Sequence, residues 1–309
     1  MALSSTLMKS FYPKLVALGM VLLGLPLMSA APLHVLFFSK SSGFEHSVIK
    51  RVDGKPSFAE NQLAALGPRH ELEFTFSKDG SLFTPEYLAR FDVIMFYTSG
   101  DLLSVGTDGQ PAMTPAGKQA LLDAVAGGKG FVGLHSASDT FHTGESGGGN
   151  NSIREPRFHN YGEASDPYIK MLGGEFLKHN AQQVATARVI DPAFPGCAEL
   201  GGAVECKEEW YSLKEFAANL HVLLLLETAG MQGSDYQRAP FPLAWARALG
   251  KGRVWFNGMG HREDVWENPK FQAMLVGGIE WAGGRKPADV APNLTAVAPD
   301  AHKLQVYVK

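Results

Sequence analysis

Cysteine is scarce in this chain: there are two, Cys197 and Cys206, and no Cys-x-x-Cys spacing. A thiolate zinc module is therefore excluded, and the pair is left as either one small disulfide loop or two unpaired thiols. Charge of one sign is lacking too. The formal net charge is -3 with no Lys/Arg run, so the electrostatic footprint of a nucleic-acid binder is missing. Apart from Leu15 to Met28 there is no long apolar stretch, and that run is broken by Gly19, Gly24 and Pro26. It falls short of the ~20 residues that span a bilayer comfortably. Gly144 to Asn151 is glycine-rich but has no Gly-Lys-Ser/Thr, so it is no phosphate loop. A His-Glu-x-x-His helix and a Gly-x-Ser-x-Gly elbow are also absent. What remains is 309 residues, 45% hydrophobic and 19% charged, the profile of a soluble globular protein. A small molecule is the expected partner.

The N-terminus reads as an address rather than as fold. Lys9 and Lys14 precede the apolar run, and Ser29-Ala30-Ala31 follows it, the order of a secretory signal peptide. Cleavage after Ala30 leaves Met28 at the third position back, and cleavage after Ala31 leaves Pro32 next, so an uncleaved anchor stays open. The expectation is a signal peptide over 1–31, export to the periplasm or beyond, and membrane contact through that segment alone. One domain is expected over 32–285, followed by a Pro/Ala-rich tail over 286–309.

From Pro32 onward strands and helices alternate. Leu33 to Phe38 is an apolar strand, Phe58 to Leu66 a helix, and Glu71 to Phe76 a strand of period two. Thr84-Pro85 and Thr114-Pro115 each place a capping hydroxyl before a proline at the first helical position. Phe91 to Tyr97 and Gly130 to Leu134 are buried strands, Pro167 to Leu172 a short helix, and Phe271 to Trp281 the last helix. Further strands are expected at 183–190, 205–211, 221–227, 243–247 and 253–257. The pattern predicts an α/β fold: a doubly wound, mostly parallel sheet flanked by helices. Thr143 to Asn160 breaks it and reads as a lid or insertion.

Polar groups recur where the apolar strands end: His46, Asp101, His135 with Asp139, and His261. In an open α/β sheet these exits converge on one edge, where ligands bind. His179 and Glu208-Glu209-Trp210-Tyr211 could join them. Any one of them could instead be a satisfied core or surface residue, as His34 and His221 are expected to be. Imidazoles with a carboxylate suit zinc or a related divalent ion, and without metal they suit general acid–base chemistry. In Gly133-Leu134-His135, histidine stands where an elbow would carry its nucleophile, which argues against covalent acyl transfer.

The chain resembles the trehalose-utilisation (ThuA-like) family, which has a class I glutamine-amidotransferase-like, flavodoxin-like fold. The resemblance is carried by Lys40-Ser41-Ser42-Gly43-Phe44-Glu45-His46, Thr98-Ser99-Gly100-Asp101, Gly130 to Asp139, and Leu172-Gly173-Gly174-Glu175-Phe176 with His179. It continues through Glu208-Glu209-Trp210-Tyr211, Pro242-Leu243-Ala244-Trp245, Gly258-Met259-Gly260-His261 and Gly277-Gly278-Ile279-Glu280-Trp281. It implies that amidotransferase chemistry is absent, with His135 in the cysteine nucleophile's place. It also implies carbohydrate catabolism: an enzyme (hydrolase, lyase or isomerase) acting on glycosides, disaccharides or their 3-keto derivatives. The alternative is a non-catalytic sugar-binding or accessory protein. Relatives usually carry Asp-Glu-Trp-Tyr where this chain has Glu208 first. The resulting expectation places His135, Asp139, Glu209 and His261 in catalysis. His46, Asp101, Trp210 and Tyr211 would contact the sugar, and a divalent metal such as zinc would sit on His135, His179 and Glu209.

Overall fold

The computed structural model describes residues 1, 2, 31–143 and 155–306. The chain divides into two compact units, Met1–Ala31 and Pro32–Lys309. The signal-peptide reading rests on residues outside those described, as does the glycine-rich loop, and no described helix is long and apolar enough to cross a membrane.

In the second unit the strands are β1 (Leu33–Phe38), β2 (Leu72–Ser77), β3 (Val93–Phe96), β4 (Gly130–Leu134), β5 (Glu175–His179), β6 (Gln183–Val189), β7 (Ala203–Glu208), β8 (Tyr211–Lys214), β9 (His221–Leu226), β10 (Phe241–Leu249) and β11 (Gly252–Asn257). The large sheet runs β2-β1-β3-β4-β11-β10-β9-β6-β7, and β5 pairs with β8 separately. β2, β1, β3, β4 and β11 are mutually parallel, and β10, β9, β6 and β7 extend the sheet antiparallel. The parallel strands β1, β3 and β4 are covered on both faces, which is why they read as unbroken apolar runs. The order 2-1-3-4 is the doubly wound arrangement, with its switch point between β1 and β3.

The helices are α1 (Phe58–Leu66), α2 (Pro85–Leu88), α3 (Pro115–Gly127), α4 (Pro167–Leu172), α5 (Glu263–Glu267), α6 (Pro269–Ala282) and α7 (Leu294–Val297). α2, α3, α4 and α6 start by one rule: a polar cap (Thr84, Thr114, Asp166, Asn268), then proline. Each cap side chain accepts a hydrogen bond from a first-turn backbone N–H, and proline costs nothing there because its missing N–H had no helical partner. Ser57 and Glu60 form a reciprocal capping box at α1.

Two outcomes differ from the sequence reading. Glu175 to His179, which is not among the expected strands, is one, because it pairs with β8 from far along the chain. The Pro/Ala-rich tail carries a short helix (Leu294–Val297) and is tied down through residue 306: Asn293 bonds the start of β9 at Val222, and Arg238 donates to Ala301 O at 2.5 Å. Cys197 and Cys206 are both free thiols, and burial pushes each up to about 12.

Candidate functional site

Three histidines from separate strand exits meet at the carboxyl edge of the parallel strands. His46 follows β1, His135 directly follows β4, and His261 follows β11. Neighbouring parallel strands stand about 4.8 Å apart, so exits distant in sequence come together. The ring centroids of His46, His135 and His261 lie 5.0, 5.1 and 5.3 Å apart pairwise. Glu209, arriving from the far edge of the sheet between β7 and β8, completes the group. One ligand atom from each of these four residues lies within 4.8 Å of the others.

Glu209 Oε2 is the hub. It stands 2.9 Å from His261 Nδ1, 3.5 Å from His135 Nε2 and 3.9 Å from His46 Nε2. His135 Nε2 and His261 Nδ1 are 3.3 Å apart. His135 Nδ1 lies 3.0 Å from Gly258 O, a group that can only accept. Nδ1 therefore carries a proton, which leaves Nε2 turned toward Glu209 and His261. Burial pulls His46 down to about 4, against the pull of Glu209, so this ring is neutral at physiological pH and its approach to Glu209 is not an ion pair. Burial would raise Glu209, but bonds to His135, His261 and His46 outweigh it and hold its carboxyl far below the usual range.

The backbone is shaped around these side chains. His135 has φ 41, in the left-handed region, at the turn from β4 into a short 3-10 segment, His135–Asp139. A non-glycine residue there stores strain of order 1–3 kcal/mol. It is held by Ser138 Oγ donating to His135 O (2.9 Å), Gly100 N to Asp139 O (2.7 Å) and Tyr168 OH to Ala137 O (2.9 Å). Gly260, at φ 115, lets the β11 exit turn so that its own N–H and that of His261 reach Glu208 Oε2 at 2.9 and 3.2 Å. Glu208 Oε1 accepts from Glu209 N at 2.7 Å. The fully buried Glu208 carboxylate thus clamps the segments carrying His261 and Glu209 to each other. Burial pushes its pKa up, countered chiefly by His135 and these backbone donors.

The remaining expected site residues divide. Tyr211 is at the site but buried: its ring lies 4.1 Å from both His135 and Phe176, and its hydroxyl is 3.3 Å from His46 Nε2. Trp210 points the other way, as alternate residues of an extended chain must. It is fully buried and donates its indole N–H to Gln183 O (2.9 Å), so neither ring presents a face to a sugar. Asp101 closes a local turn on Leu103 N at 3.0 Å and, among the described residues, is bonded to none of the four clustered side chains. His179 lies beside the four rather than among them, its Nδ1 3.5 Å from Glu209 Oε1 and its ring stacked on Tyr211. Asp139 orients an imidazole, but the one it pairs with is His142.

That pairing belongs to a second cluster which the sequence reading missed. His142 bridges Asp139 and Glu175, with Nδ1 2.9 Å from Glu175 Oε1, while Lys214 Nζ lies 3.4 Å from Glu175 Oε2 and Arg157 Nη2 2.8 Å from His142 Nε2. All five side chains are buried. Burial disfavours a charged His142, but Asp139 and then Glu175 outweigh it and hold its pKa above the ordinary value. The only sequence signal was an ionisable residue next to an apolar one in Phe141-His142 and Glu175-Phe176.

Away from these groups, a cavity of about 740 Å³ opens at the amino ends of β4 and β11, lined by Lys129, Lys251 and Arg253. It lies at the wrong edge of the sheet for the histidines. A smaller one of about 400 Å³ touches His261 and is lined by Ser47, Gln182, Arg262, Glu263, Asp264 and Glu267. This is the opening beside the cluster.

The family model described as trehalose utilisation, ThuA, matches residues 34–282, which spans all four clustered side chains. The chain belongs to the ThuA family. Among solved structures, a ThuA-like protein from Bacteroides uniformis ATCC 8492 is similar at TM-score 0.59 and 19% identity, covering 84% of this chain and 95% of that one. A second, from Parabacteroides merdae ATCC 43184, is similar at TM-score 0.56 and 17% identity, covering 90% and 98%. At these identities the likeness establishes the fold. No curated protein matches.

Proposed function

We propose that this ThuA-family chain is a divalent-metal-dependent enzyme of carbohydrate catabolism acting on a glycoside, a disaccharide or a keto derivative of one. His46, His135, His261 and Glu209 would hold the ion. The observation that carries the reading is the convergence of three imidazoles and one carboxylate oxygen within 4.8 Å.

The donor set fits the ion. Ligands at about 2.0–2.2 Å from a tetrahedral zinc stand ~3.4 Å from one another; four of the six separations here are 2.9, 3.3, 3.5 and 3.9 Å, and all six lie within 4.8 Å. The His135 ring is oriented by its bond to Gly258 O, so that Nε2 would be the atom offered to an ion, and His46 is neutral. Glu209 is ionised and supplies charge compensation. When bound, the ion would polarise a hydroxyl or carbonyl oxygen of the substrate as a Lewis acid.

The protein's own groups set up the rest. Glu208 fixes the spacing of the His261 and Glu209 segments by accepting from three backbone donors. Tyr211 fills the floor against His135 and excludes water there. His179, 21% exposed and 3.5 Å from Glu209 Oε1, is the open imidazole and the residue placed to exchange a proton with a substrate hydroxyl.

Chelator-stripped protein titrated with zinc, manganese or magnesium tests the metal. One equivalent should bind per chain, and at a hundredfold excess over Kd it should stabilise the fold by about 2.7 kcal/mol. His135→Ala and His261→Ala should lose both effects while keeping the far-UV CD spectrum. A product assay across glycosides, disaccharides and their 3-keto forms should show turnover that fails in His135→Ala and in His179→Ala. No bound metal and no thermal response to any of the three ions would refute the reading.

A further inference from the structure

Three of the four clustered side chains have an anchor of their own. His135 is turned by Gly258 O, and Glu208 pins the segments of His261 and Glu209. His46 has no such anchor. Its Nδ1 is buried without a hydrogen-bond partner among the described residues, and its Nε2 meets the Tyr211 hydroxyl at 3.3 Å. Its side chain does not cap the 3-10 turn Ser47–Ile49 that follows it. The place of this imidazole is therefore set by the backbone that carries it, the loop from Ser39 to Glu45 that leaves β1.

That loop is closed by a residue outside it. Lys78 directly follows β2, and its side chain is 3% exposed. Lys78 Nζ donates to Ser39 O and to Glu45 Oε1, each at 3.0 Å. Ser39 is where the loop leaves β1, and Glu45 is the residue before His46, so one ammonium holds both ends. Its third partner is Asp108 Oδ2 at 3.4 Å, and that oxygen also accepts from Ser41 N at 3.2 Å. An ammonium has three donors, so Lys78 is fully used. The middle of the loop is fixed separately, with Ser42 N and Gly43 N donating to Ser99 O at 2.8 and 3.1 Å. Balancing the buried Asp108 charge would need only the contact with Asp108. The bond to Glu45 directs a charged donor to the neighbour of His46, and charge-assisted bonds are the strong ones.

We infer that Lys78 is the positioning residue of His46: by holding the two ends of the Ser39–Glu45 loop together it fixes how far that imidazole reaches into the cluster, with Glu45 as the arm between them. The inference rests on the metal reading above and names the group that governs one ligand's place in it. Lys78 does not touch the ion. A group that orients a metal ligand in this way controls affinity by about 10–100-fold.

The test is zinc affinity by competition with a chromophoric chelator, and the visible spectrum of the cobalt(II) form, on the full chain and its variants. Glu45→Ala cuts the arm but leaves Lys78 paired with Asp108. It should melt as wild type does yet bind zinc about tenfold more weakly, with cobalt bands displaced in the same direction as in His46→Ala. Lys78→Met should weaken zinc at least as much and should also melt lower, because Asp108 loses its partner. Glu45→Gln keeps an acceptor for Lys78 and should recover most of the affinity. In a His46→Ala background, Glu45→Ala should change zinc affinity by less than about twofold. Wild-type zinc affinity in both Glu45→Ala and Lys78→Met would overturn the inference. An equal loss with and without His46 would overturn it too, since Lys78 would then support the fold only. If wild type binds no divalent ion, the metal reading fails by itself and the His46 ring decides this one. Its Cε1–Hε1 NMR signal should move in Glu45→Ala while those of His135 and His261 stay, and an unmoved His46 signal would overturn the inference.

Discussion

Replacing Glu208 by glutamine changes almost no volume and removes one charge, which isolates what the buried carboxylate does. Its two oxygens accept from three backbone donors, Glu209 N at 2.7 Å, Gly260 N at 2.9 Å and His261 N at 3.2 Å. A glutamine can offer its single oxygen to Gly260 and His261, but its amide nitrogen then faces Glu209 N–H, donor against donor. Leaving a buried donor unsatisfied costs about 1–3 kcal/mol, and the two retained bonds each weaken by roughly 0.5–1.5 kcal/mol on losing the charged acceptor. Relief of the buried charge offsets part of this, since burial is the largest influence raising the Glu208 pKa. A net destabilisation of about 2–4 kcal/mol follows, which is about 3–7 °C in Tm for a domain of this size. Urea titration at neutral pH with an unchanged m-value is the assay. Glu208→Asp keeps the charge but withdraws it by one methylene, and it should fall between wild type and glutamine. A Glu208→Gln midpoint within about 0.5 kcal/mol of wild type would refute the clamp. Zinc affinity should drop with it, because the His261 and Glu209 segments lose their common anchor.

Other outcomes follow from the packing and the second cluster. A raised pKa on His142 means its charge contributes fully below the ordinary value of 6.5, and the contribution is lost as pH rises through the folded value. Wild-type stability relative to His142→Asn should therefore shrink between pH 6 and pH 9 in urea titrations, and a constant difference would contradict the pairing with Asp139 and Glu175. On α6, an added Cβ at Gly277 would lie 2.1 Å from Pro195 O and 2.3 Å from Pro195 C. Gly277→Ala should cost about 1–3 kcal/mol net in thermal melts, although helix propensity alone favours alanine by about 1 kcal/mol. Both thiols are free and pushed up to about 12, so native protein should react slowly with a thiol reagent at pH 8 and give two equivalents once unfolded. A fast native reaction would mean that the thiol surroundings are misassigned.

The elements governed by local rules were legible in the chain. Thr84-Pro85 and Thr114-Pro115 start helices because a cap and a fixed φ act within one turn. Leu33 to Phe38 and Gly130 to Leu134 are strands because both faces are covered, and their exits carry His46 and His135 as parallel strand ends should. Elements paired over long distances were not legible. β5 is a strand only because β8 lies beside it, and a short segment carries no local mark of such a partner.

For the site, the residues that arrive at the carboxyl edge could be read from the chain: His46, His135, His261 and the Glu208-Glu209 pair. Tertiary structure decided their roles. It put His46 into the cluster in place of His179, and made Glu208 the clamp and Glu209 the hub. It buried Trp210 and Tyr211, turned Asp139 to His142, and left Phe44 exposed beside His46. The physical reason is one of scale. Capping and alternation act over a few residues, whereas the direction of a side chain at a strand exit depends on neighbours more than a hundred residues away.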